Sequence, residues 1–78
     1  MIIAGHEIDE KTIKEMAEGA RAFGNLDPWD YKRHCLDDAA EQVKNYVCKR
    51  FGDNALETES GLEFASGVYK AVIKEIGF

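Results

Sequence analysis

The nine residues Asp27–Cys35, "DPWDYKRHC", decide how the middle of this chain is read. They hold two carboxylates, an indole, a phenol, three potential cations and a thiol, a mixture that suits either an active site or the opening turns of a helix. Helix initiation accounts for most of it. Asp27 is a favoured N-cap residue, and Pro28 falls at the first helical position, where its missing N–H costs nothing. Asp30, three residues after the cap, completes a variant of the capping box and suits the positive end of the helix dipole. Leu26 and Tyr31 occupy the two positions of a hydrophobic staple. The carboxylates are thereby assigned to punctuation rather than catalysis.

From this start a helix runs to Gly52. At 100° per residue, Trp29, Leu36, Ala40, Val43 and Val47 share one arc, which Cys35, Ala39 and Tyr46 widen on one side and Phe51 on the other. So broad an apolar face predicts contact with two other helices and makes Trp29 a core anchor. Lys32 and Arg50 lie inside the arc near its ends, where their stems can snorkel. The opposite side carries Tyr31, His34, Asp38, Glu41, Asn45 and Lys49, and Cys48 projects toward it.

Two further helices flank this one. Asp9 caps the first, with Ile8 and Ile13 as its staple and Gly24 as a left-handed terminator. Ile13, Met16, Ala17, Ala20 and Phe23 form its apolar face. Ser60 and Glu63 fit a capping box for the third, whose main apolar face is Leu62, Ala65, Val68, Tyr69, Val72, Ile73 and Ile76. Gly77 suits its C′ position, with Phe78 folding back on Ile73. The expected fold is all-α, a small three-helix bundle in a single domain spanning residues 1–78, with Ile2 and Ile3 as a short extended segment. The alternative is α+β, with a hairpin over 55–65 turning at Ser60 and Gly61.

With 78 residues the chain is one small domain, which ordinarily needs a staple from a disulfide, a metal or a partner subunit. Its two cysteines do not supply one. Cys35 and Cys48 on one helix stand about 20 Å apart at 1.5 Å per residue, against the roughly 7 Å a disulfide allows. Free thiols point to a reducing compartment, and no apolar run resembles a signal peptide or approaches the roughly 18 residues of a spanning segment. A cytoplasmic protein away from membranes is expected. The net charge of −5 divides as −3 over residues 1–27, +1 over 28–52 and −3 over 53–78. That distribution disfavours nucleic acid, because phosphate contacts need clustered Lys and Arg. A helix-turn-helix DNA binder is accordingly the weakest reading.

No nucleotide-binding loop, metalloprotease helix, calcium loop or nucleophile elbow is present, so neither an enzyme nor a cofactor is expected. An acidic helical chain of this size invites comparison with acyl carrier proteins, but their Asp-Ser-Leu attachment motif is absent. His34, Asp38 and Glu41 offer metal donors at i, i+4 and i+7. One helix cannot close a coordination shell, so these residues read as a solvated stripe and no metal is expected.

The least explained feature is a second face of the third helix, where Ser60, Phe64, Gly67 and Ala71 cluster. Small residues around one aromatic suit the close approach of another helix. The expected function is therefore a small acidic protein-interaction module, homo-oligomeric through that face. Inhibitors of host proteins carried by phages and other mobile elements have this character. The alternative is an oligomeric small-ligand binder, with a pocket at the subunit interface lined by Tyr31, Tyr69 or Lys70. The face bearing Tyr31, His34, Asp38 and Glu41, with Tyr69 and Lys70, is the second candidate surface for a ligand or partner.

Overall fold

A computed structural model describes residues Met1–Phe78. Three helices pack against one another: α1 (Glu10–Gly24), α2 (Tyr31–Phe51) and α3 (Glu59–Ile76). A two-stranded antiparallel ribbon, β1 (Ile2–Ile3) and β2 (His6–Glu7), precedes them, in register Ile2 to Glu7 and Ile3 to His6. The three-helix bundle matches the expected fold. The extended segment at Ile2 and Ile3 is one arm of a hairpin, turned by Ala4 and Gly5 at φ 50° and 81°. Both central residues have positive φ, as a two-residue hairpin loop with right-handed twist requires. No hairpin forms over 55–65: Ala55–Glu57 is a 3-10 turn and α3 follows. No helix is long and apolar enough to cross a membrane.

The core is built from narrow stripes. Ile8, Ile13, Met16, Ala17 and Ala20 enter it from the first part of the chain, Cys35, Ala39, Val43 and Val47 from α2, Ala55 from the 3-10 turn, and Phe64, Val68 and Val72 from α3. On α2 the stripe advances four residues at a time, so it is narrower than the arc the sequence outlines. Leu36 is only half-buried and Ala40 is exposed. Small residues line the inner stripe because α1 comes close. Gly24 lies against the Cys35 sulfur and the Tyr31 ring, and a β-carbon there would collide with both. Gly24 is thus a packing residue inside α1, not a left-handed terminator, and Phe23 is 42% exposed rather than part of the core.

The caps redistribute in the same way. Asp9 caps α1 as expected, accepting the Lys11 N–H at 3.0 Å, with Ile8 and Ile13 buried on either side. At α3 the cap is Thr58 rather than Ser60. The Thr58 hydroxyl accepts the Gly61 N–H at 3.0 Å and donates to the Ala55 carbonyl at 2.8 Å, tying the 3-10 turn to the helix. Gly52 and Gly77 end α2 and α3, both at φ 108°, and the Phe78 N–H bonds back to the Ile73 carbonyl.

The opening stretch departs most from expectation. Pro28–Asp30 forms a 3-10 turn, and α2 begins only at Tyr31. Neither Asp27 nor Asp30 makes a side-chain cap bond. Leu26 is 80% exposed, so the second staple is absent, and Trp29 is 97% exposed instead of anchoring the core. A 3-10 turn advances 120° per residue rather than 100° and shifts the phase of everything before α2, which swings the indole out.

Candidate functional site

The second face of α3 turns out to be internal. Phe64 is 1% exposed, the bulkiest of the fully buried side chains. Its ring meets His6 at 5.4 Å, Phe51 at 5.3 Å and Tyr46 at 6.3 Å between centroids. Gly67 leaves room for Ile3, whose Cγ2 a β-carbon would strike. Ala71 is half-buried against the core, and only Ser60 of the four is exposed. The smooth surface around Phe64 and Gly67 is therefore occupied by the chain's own N-terminal hairpin. Strands of two residues leave no periodic signal, so the sequence could not show what covered that face.

The second candidate surface disperses. Asp38 and Gln42 form an internal bridge: the Gln42 amide donates to Asp38 Oδ2 at 2.6 Å and to the Met16 carbonyl of α1 at 3.1 Å. Glu41 is exposed without an ion-pair partner. Tyr31 is half-buried beneath the Phe78 ring, 6.2 Å away. Hydrogen bonding toward the Cys35 thiol, with burial acting the same way, raises its phenol above the ordinary tyrosine value. Tyr69 lies on the α2–α3 surface and Lys70 is exposed, so Tyr31, Tyr69 and Lys70 do not share one pocket within the chain.

What the helices leave uncovered is the outer side of the α2–α3 pair. An open groove of about 310 Å³ runs between them, lined by Ala40, Val43, Leu56, Leu62, Ala65 and Tyr69, with Lys44 and Ser66 as its polar members. Leu62 is 53% exposed there, although the sequence places it on the core face. One turn along α2 from Ala40, Leu36 borders a second groove of about 400 Å³ that ends at Trp29, with Lys32 and Arg33 on its rim. The apolar arc of α2 is thus split by α3: one edge enters the core, and the other faces outward together with the flank of α3. Trp29, Leu36, Ala40 and Leu62 are the residues that the sequence places inside and the structure leaves wholly or partly exposed. The arc is wide enough that α2 packs against both α1 and α3, as its breadth predicts, and still leaves one edge open.

A side-chain cluster sits beside Trp29. Asp27 Oδ2 lies 3.2 Å from His34 Nε2, and Asp30 Oδ2 accepts from Arg33 at 2.9 Å. The His34 ring stands edge-on to Phe23 at 5.4 Å. Ligating atoms of Asp27, Asp30 and His34 all fall within 4.8 Å of one another. This set differs from the His34, Asp38 and Glu41 line, which the structure does not gather.

At the opposite end of the bundle, a cleft of about 390 Å³ is bordered by His6, Phe51, Asn54, Thr58, Ser60 and Phe64. Its aromatic wall is capped by the Arg50 guanidinium, 5.2 Å from the Phe51 centroid and 5.1 Å from that of Phe64.

No protein-family model, characterised protein or solved structure matches this chain in comparison. The functional reading therefore rests on the geometry above.

Proposed function

We propose that this chain is a small acidic protein-interaction module whose working surface is the outer face of the α2–α3 pair, with Trp29 as its anchor. The observation that carries the reading is the 97% exposure of Trp29. An indole held in water forgoes burial worth about 2–3 kcal/mol in a domain with little to spare. Tryptophan with arginine beside it is the composition of interface hot spots. The charge-rimmed groove at Trp29 and Leu36, together with the apolar groove between α2 and α3, offers the surface into which a partner's amphipathic segment can settle. Within this reading an inhibitor that occupies a host protein's surface remains the specific form, and the free thiols Cys35 and Cys48 fit a cytoplasmic setting. The same face admits a second copy of the chain, so a homo-oligomer belongs to the proposal. Affinity capture from the source cells tests it: a protein retained by the wild type should be lost with Trp29→Ala, and its retention by that variant would refute the assignment.

The cleft at His6, Phe51 and Phe64 favours a second reading, a small-ligand binder. Its aromatic wall and polar rim lie within one chain, so this form of the reading moves the pocket away from a subunit interface.

A further inference from the structure

We propose that Asp27, Asp30 and His34, gathered at the turn that carries Trp29, bind a divalent transition-metal ion of the zinc class. Two donors about 2.1 Å from a tetrahedral ion stand about 3.4 Å apart. Asp27 Oδ2 and His34 Nε2 are hydrogen-bonded to each other at 3.2 Å, a spacing that an ion can take over by displacing the shared proton, and an Asp30 donor lies within 4.8 Å of both. Little rearrangement is needed to bring the third donor in. One imidazole with two carboxylates suits zinc, cobalt or nickel, whereas calcium and magnesium take more oxygens and copper(I) takes thiolates.

Three features of the fold support the site. Both aspartates occupy positions from which they could cap a helix, yet neither does. The His34 ring is fixed on one side by the edge of Phe23, and its side chain is only 24% exposed. The donors come from the loop, the 3-10 turn and the first turn of α2, so an ion would fasten three consecutive pieces of backbone that side-chain caps leave loose. Three protein ligands leave a coordination position for water or for a donor from a partner.

Two features oppose the ion. The N-terminus of α2 is the positive end of its dipole, and Arg33 pairs with Asp30. The Arg33–Asp30 pair is exposed and holds weakly, and its carboxylate has a second oxygen to offer. Resting on the proposed function, the ion would stiffen Pro28–Asp30 and present the indole in one orientation.

Trp29 is the one tryptophan of the chain, so its fluorescence reports on the site directly. The titration uses cobalt(II), which quenches a nearby indole, on a Cys48→Ser background that removes the half-buried thiol as a competing ligand. The expected result is saturable one-to-one quenching, reversed by zinc or by a chelator. His34→Gln and Asp27→Asn should each weaken it at least about tenfold, the loss found even for partners one shell further out, while circular dichroism shows the helices intact. Unsaturable quenching, or equal quenching in His34→Gln, overturns the site. Partner capture in the presence of chelator separates the two proposals. Capture that needs Trp29 but ignores the chelator leaves the interface standing and removes the metal's role in it. Saturable cobalt binding without any Trp29-dependent partner leaves the metal site standing alone.

Discussion

Ile3 Cγ2 rests over the bare α-carbon of Gly67, and this contact closes the gap that the missing side chain leaves on that face of α3. It converts an apparent docking face into core and fixes where the N-terminal hairpin lies. The hairpin in turn delivers His6 to the Phe51 and Phe64 rings, at 5.0 Å and 5.4 Å.

Filling that gap should unseat the hairpin. Gly67→Ala gains about 1 kcal/mol of helix propensity but drives a methyl into Ile3, at an overpacking cost of about 1–3 kcal/mol. We expect a net loss of stability in urea denaturation and faster amide exchange at His6 and Ile8. Unchanged exchange there would show that the hairpin does not need Gly67.

Phe64→Leu keeps an apolar side chain at the centre of the aromatic cluster yet should cost about 1.5 kcal/mol or more, because three rings lose their neighbour. Leu62→Ser, two residues away and 53% exposed, should stay within about 0.5 kcal/mol of wild type. The opposite ranking in chemical denaturation would reverse the assignment of the inner and outer flanks of α3.

Thr58→Ala should destabilise α3 by about 1 kcal/mol, since it removes the acceptor for the Gly61 N–H. Ser60→Ala should be nearly silent. Denaturation midpoints for the two variants distinguish the caps directly.

Ala4 adopts a positive φ of 50°, which costs a residue with a β-carbon about 1 kcal/mol. Ala4→Asn creates the Asn-Gly pair preferred in such turns. A gain of about 0.5 kcal/mol in thermal or urea unfolding is expected, and a loss would contradict the turn geometry.

How far the residues revealed this structure depends on the strength of each local signal. Asp9 with Ile8 and Ile13 was legible because cap and staple agree with the helical period that follows. Gly52 and Gly77 were legible because a glycine directly after a run of helical period is the preferred residue for a positive φ at a helix end. At Asp27–Asp30 the same residue types support either caps or a 3-10 turn, and the choice depends on where α1 leaves the chain. On α3, apolar residues lie on both flanks of Val68 and Val72, with the greater number on the flank bearing Leu62 and Tyr69. That flank keeps Ala65, Tyr69, Ile73 and Ile76 half-buried against the core, with Leu62 turned to solvent, while the two-stranded hairpin draws Phe64 and Gly67 on the other flank inside as well. The open face on α2 and α3 is the remainder of an apolar surface larger than three helices can cover.

The central claim, that Trp29 anchors a protein partner on this face, is tested most directly by placing a photo-crosslinking tryptophan analogue, which keeps the indole, at position 29 and illuminating the source cells. Incorporation at exposed Glu18 on α1 serves as the control. The account predicts a discrete protein adduct from position 29, with a second copy of the chain or with another protein, and none from position 18. Free, uncrosslinked chain from position 29, or the same adducts from both positions, would contradict it.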